Sequence, residues 1–157
     1  MDTSDIISLI ALVISLLSSA FSVYTFYSSK KQQRKCDTIE AFNRMQEQVL
    51  DKLVSYPKKD VNTLIECIDE AHAKECYDDF RAMISKIEHF AVGVNTGVYD
   101  FNTADQLGGV HLYFLYKKVQ PIILKAREGQ QNDEKPYYCE FEKMIKKFRE
   151  NHSECQN

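Results

Sequence analysis

The chain is predicted to be all-α, with one N-terminal transmembrane helix followed by a cytosolic bundle of four to five helices. Three observations predict this. Ile6 to Ser29 is a run of 24 residues without a charge. Strand-type alternation is almost absent from the rest. Beyond position 37 the apolar residues recur at helical spacing. The implied domains are a transmembrane helix over 1–29, a basic juxtamembrane collar over 30–36, a helical bundle over 37–150 and a polar tail over 151–157. Five Gly and three Pro in 157 residues exclude a collagenous or linker-like chain. With 44% apolar and 27% charged residues, the composition is not that of a disordered protein.

The apolar run comes first. At about 1.5 Å per residue it reaches about 36 Å, against a hydrocarbon core about 30 Å thick. A cleaved signal peptide wants a basic start and a shorter apolar core. This chain begins Met1-Asp2-Thr3-Ser4-Asp5, and its basic cluster Lys30, Lys31, Arg34 and Lys35 follows the span. Lys and Arg collect on the cytoplasmic side, so the N-terminus is expected outside the membrane and the domain in the cytoplasm. Phe21, Tyr24, Phe26 and Tyr27 fit an aromatic belt at the inner interface. All 20 Lys and Arg and 21 of the 23 acidic residues lie from Lys30 onward, a balance of −1. That argues against broad electrostatic binding to nucleic acid.

A stripe of small residues runs down the span: Ser4, Ser8, Ala11, Ser15, Ser18, Ser22, Thr25 and Ser29, spaced 4, 3, 4, 3, 4, 3, 4. Random placement of the available Ser, Thr and Ala fills one such register about once in a thousand times. A 3.5-residue repeat keeps one seam facing a partner when helices supercoil. In lipid, close approach and interhelical hydrogen bonds drive association, and small or hydroxyl residues permit both. The stripe therefore predicts a homo-oligomer, with the seam at a helix interface or facing a pore. The competing explanation is that serine is tolerated in a helix because it bonds back to its own i−4 carbonyl.

In the bundle, Asp37 is placed to cap a helix whose apolar stripe is Ile39, Phe42, Met45, Val49, Leu50 and Leu53. Tyr56-Pro57 ends it. Asp60 is placed to cap a second helix through Leu64, Ile65, Ile68 and Ala71. A further stripe follows at Tyr77, Phe80, Ile84, Ile87, Phe90, Ala91 and Val94. Asn95-Thr96-Gly97 is turn chemistry. Asn102 is placed to cap the next helix, with Asp105 in a weak capping box. Pro121 predicts a kink in it, and Glu128 to Lys135 a loop. Pro136 is expected to start the last helix, with Tyr137, Phe141, Met144, Ile145 and Phe148 buried.

No phosphate loop, nucleophile elbow or dinucleotide fingerprint occurs, and no cofactor is implied. The Cys residues at 36, 67, 76, 139 and 155 are odd in number and expected as free thiols in a reducing cytosol. Cys67, His72 and Cys76 do not share one helix face, so no metal site is expected. Arg149 and His152, three residues apart, share a face and form a pair able to hold a phosphate, although a solvated face is the plainer reading.

The stretch Glu88 to Arg127, with "EHFAVGVNTGVYDFNTADQLGG" and "YKKVQPIILKAR", is similar to an uncharacterised family of small single-span bacterial membrane proteins. The whole layout of span, collar and short helical domain resembles the membrane accessory proteins encoded beside the RNA-guided ribonuclease of type VI-B CRISPR loci. That resemblance implies a divergent HEPN-like helical fold and a multi-subunit membrane pore that enhances antiphage defence without being an enzyme. It also implies functional coupling to the RNA-targeting nuclease. The HEPN nuclease pattern is Arg, four to six residues, then His. Arg81 to His89 has seven residues between and Arg149 to His152 has two, so the chain departs from it. A remnant, if present, is Arg149 and His152. The alternatives are a membrane-anchored HEPN-like ribonuclease accessory and a non-catalytic membrane scaffold.

Overall fold

The computed structural model describes residues 3–55, 61, 65, 71–128, 130 and 135–154. Among them every regular element is a helix. The order is α1 (Thr3–Met45), a π-helical turn (Gln46–Leu50), α2 (Asp51–Ser55), α3 (Ala71–Asn95), α4 (Phe101–Arg127) and α5 (Cys139–Glu154). The chain divides into two compact units, 1–36 and 37–157.

In the first unit, α1 is long and apolar enough to cross a membrane. Its large apolar side chains, among them Ile7, Leu16, Leu17 and Phe21, are exposed. The helix does not restart at Asp37 as expected. It runs unbroken to Met45, because Lys30 to Arg44 contains no Gly or Pro and is rich in strong helix formers.

In the second unit, α3 packs on α5 and α4, and α4 packs on α5. Phe42, Met45, Val49, Leu50 and Leu53 are buried as their spacing predicts. Ile39 is 41% exposed instead. Its neighbour Thr38 is buried, and its hydroxyl accepts the Asp100 N–H at 2.8 Å. Val49 and Leu50 are adjacent in sequence yet both face the core. The wide π turn re-phases the helix to allow this, and the Asp51 N–H bonds to the Gln46 carbonyl. The stripe from Tyr77 to Val94 is buried throughout. Tyr56-Pro57, Asp60, Leu64, Cys67, Ile68 and Cys155 lie outside the described residues. So does the join between 60 and 71, although Val61 is buried and Ile65 packs against the core.

The cap of α4 is Asp100, not Asn102. The Asp100 carboxylate accepts from the Thr103 N–H at 2.9 Å, filling the role of an N-cap acid. Asp105 therefore belongs to no capping box and is free for another task. α4 runs through Pro121 to Arg127, with Val119, Ile122 and Ile123 buried on either side. Gly108 is required by packing, since a Cβ there would stand 2.3 Å from the Phe42 ring.

α5 starts at Cys139, not at Pro136. Tyr138 sits at φ 60, a left-handed turn that points its ring inward, while Tyr137 is 43% exposed where burial is expected. The cap is remote in sequence. Glu88 on α3 accepts the N–H groups of Glu140 at 3.0 Å and Phe141 at 2.7 Å, as a local N-cap side chain would. Asn95 ties the same turn, donating to the Glu140 carbonyl and carboxylate at 2.9 Å each. Hydrogen bonds from Lys135 and Lys143, against some opposing burial, hold the Glu140 carboxyl down to about 2. A carboxyl held below its unfolded value stabilises the fold above that value and stops doing so as pH falls through the folded one. Stability should therefore decline between about pH 4.5 and pH 2, by on the order of 2 kcal/mol from this group. Glu140→Gln should flatten that part of the profile in acid titration of thermal unfolding. An unchanged profile would exclude Glu140 as its source.

Candidate functional site

The stripe positions of α1 lie on a helix whose residues are almost all exposed, with Thr25 half-buried. Several stripe hydroxyls bond back to their own helix. Ser8 Oγ donates to the Ser4 carbonyl at 2.9 Å, Ser22 Oγ to Ser18 at 2.8 Å, and Thr25 Oγ1 to Phe21 at 3.0 Å and Ser22 at 2.9 Å. Off the stripe, Ser19 does the same with Ser15 at 2.9 Å. These hydroxyls have acceptors without a partner helix, so unsatisfied hydrogen bonding is not what demands an interface. What the stripe offers a partner helix is its unbroken small profile from Ser4 to Ser29. At the end of the apolar run Lys30 lies over the Phe26 ring at 4.9 Å.

Arg149 and His152 come together as their spacing predicts, lining one groove of about 290 Å³. Its walls are Val110, Tyr113 and Phe114 of α4 and Phe148 of α5. α5 continues to Glu154, and two of its last residues are anchored on α4. Asp105 is the anchor. Its side chain, 5% exposed, accepts His152 Nε2 at 3.0 Å and Asn151 Nδ2 at 2.7 Å. Asp105 thus holds the imidazole through Nε2, and Nδ1 is the ring nitrogen left over. Gly109 makes room for this, because a Cβ there would lie 2.0 Å from Asp105 Oδ1.

Sequence reasoning found Arg149 and His152 and missed Asp105, Asn151 and Gly109. The available signal was Asp105 with Gly108-Gly109 one turn on. An acid one turn before paired glycines, near the start of an apolar helix, marks a buried carboxylate needing space.

The Arg81 to His89 pair leads elsewhere. Arg81 lies over the rings of Tyr77 at 5.8 Å and Tyr137 at 5.7 Å, joining α3 to the turn before α5. His89 Nδ1 is 2.8 Å from the Ser85 carbonyl, and Glu88 is committed to the α5 cap. Cys36, Cys76 and Cys139 are free thiols. Among the described residues no three His, Cys, Asp or Glu side chains gather as metal ligands do. Of the Cys67, His72 and Cys76 set, Cys67 and the side chain of His72 lie outside them.

No curated protein and no solved structure matches this chain. One family does, described as a domain of unknown function, DUF4760, and it matches residues 6–148. The match takes in the apolar helix and Asp105 and stops one residue before Arg149. With nearly the whole chain matched, the protein belongs to the DUF4760 family.

Proposed function

We propose that the protein is a homo-oligomeric, pore-forming membrane effector that strengthens antiphage defence by depolarising the bacterial inner membrane. One observation carries this reading: an exposed apolar helix, long enough to cross a bilayer, bears an unbroken heptad seam of small residues. A lone anchor has no use for such a seam, whereas a ring of helices packs along it or turns it to a lumen. Rings close through one repeated heterologous contact, to which the cytosolic helices of a divergent HEPN-like bundle add their own faces. The link to defence, and to an RNA-guided nuclease whose activity would open the pore, rests on the resemblance to type VI-B accessory proteins. No cofactor and no sequence-specific nucleic acid enter this reading.

The acidic N-terminus and the collar Lys30, Lys31, Arg34 and Lys35 orient the span with its N-terminus outside. Cys36 is exposed at the end of the collar and reports on this directly. A membrane-impermeant maleimide should leave Cys36 unlabelled in intact cells and label it after permeabilisation. Labelling in intact cells would reverse the topology. The mass of the detergent-extracted protein tests the assembly: a multiple of the 18.2 kDa chain is expected, and a monomer overturns the reading.

A membrane-held ribonuclease is the second reading, and the Asp105–His152 pair is the observation in its favour. Asp105 orients an imidazole beside Arg149, an arrangement suited to acid–base chemistry on an anion. It requires cutting of single-stranded RNA by the purified protein, lost in Arg149→Ala and in His152→Ala.

A further inference from the structure

The groove between α4 and α5 has an unusual division of labour. Its walls are hydrocarbon and aromatic, and Arg149 and the His152 ring sit together at one end. Phe114 is 66% exposed and Val110 53% exposed, so α4 leaves large apolar side chains in water along this wall. Phe148 forms the other wall. Arg149 makes no hydrogen bond or ion pair with any described residue, although other cations of α5 are paired: Lys143 with Glu140 and Lys146 with Glu150. His152 is held by Asp105 through Nε2, which fixes its ring beside Arg149. Lys117 stands 5.9 Å from the Tyr113 ring and adds to the positive field.

We propose that this groove binds a single-chain amphiphilic anion, an alkyl carboxylate, with its chain along Val110, Phe114 and Phe148 and its headgroup on Arg149. The guanidinium fork matches a planar carboxylate in bidentate geometry. The hydrocarbon wall removes apolar ligand surface from water at about 25 cal/mol per Å². A nucleotide fits less well. Apart from the Tyr113 hydroxyl the walls offer no side-chain donor or acceptor to a base edge, and unpaired polar groups lose affinity when desolvated. A phosphate monoester fits less well too, because Arg149 is the single Lys or Arg among the lining residues and a second charge has no cation of its own. This inference does not rest on the pore reading, since the groove lies wholly within residues 37–157.

The test uses full-length protein in phosphatidylcholine nanodiscs, titrated with carboxyl-13C octanoate and followed by NMR. Partition of octanoate into the lipid is non-saturable and equal for all variants, so saturable binding isolates the site. The parent should bind octanoate saturably, and octanol about tenfold more weakly, the loss expected for a missing charge-assisted contact. Arg149→Gln, at an exposed position, should weaken octanoate by about tenfold while leaving the thermal midpoint unchanged. Val110→Trp fills the groove with Arg149 intact and should abolish saturable binding. Four results would overturn the proposal: no saturable binding to the parent, equal affinity for octanol, unchanged binding in either variant, or tighter binding of adenosine monophosphate or octyl phosphate than of octanoate.

Discussion

Cells carrying the Ser15→Leu, Ser22→Leu double variant should keep their membrane potential and lose protection, while the protein still inserts. The two positions are one heptad apart in the middle of the seam, so both Leu side chains project into the same closest approach between neighbouring helices. Insertion does not suffer, because leucine is more favourable in the bilayer core than serine. Neither hydroxyl is needed for the helix itself; the Ser22 bond to the Ser18 carbonyl is local and dispensable. Association is what changes, because packing in lipid depends on close backbone approach and not on hydrophobicity. The extracted variant should run as monomer or disordered aggregate, with dye-reported depolarisation reduced by at least about tenfold, the equivalent of 1.4 kcal/mol. Placing the same two leucines off the stripe, at Ser19 and Ala20, provides the control and should leave function intact. If the seam variant depolarises and protects as the parent does, the seam has no role in a pore.

Phe141→Ala should cost about 3–5 kcal/mol and lower the melting midpoint by about 10–20 °C. Phe141 is fully buried, meets the Tyr116 ring edge-on at 5.4 Å and lies where α5 is capped by Glu88. Removing the ring leaves a cavity between α5, α4 and α3 that rigid helices do not close. Ile39→Ala is the informative partner. By helical periodicity alone Ile39 belongs to the core, but it is 41% exposed, so its replacement should cost less than about 1 kcal/mol. A loss for Ile39→Ala as large as for Phe141→Ala would show that the burial pattern is wrong. Circular dichroism of the extracted protein follows both.

Periodicity was a good guide wherever a helix had one clear apolar face. Tyr77 to Val94 and Phe141 to Phe148 are buried as their spacing demands, since a 3.6-residue repeat leaves one face for the core whatever covers it. Local turn chemistry also held at Asn95-Thr96-Gly97, where Gly97 takes φ 76. The errors lie at helix ends. Asp37 lies inside α1 and Asn102 inside α4, so neither is an N-cap, because cap residues are permissive signals and the strong helix formers around Asp37 override them. At α5 the capping acid is Glu88, 52 residues upstream of Glu140, which no local window contains.

The candidate site divides along the same line. The apolar run, the basic collar, the heptad seam and the shared face of Arg149 and His152 are properties of spacing along one helix, and the sequence by itself determined them. Asp105 was decided only by tertiary structure. Whether an acid caps a helix or lies buried depends on which neighbouring element brings donors to it. Here α5 brings His152 and Asn151, and Gly109 yields the space. Desolvating a carboxylate is costly unless donors meet it, so burial and the choice of partner are settled together when α4 and α5 pack.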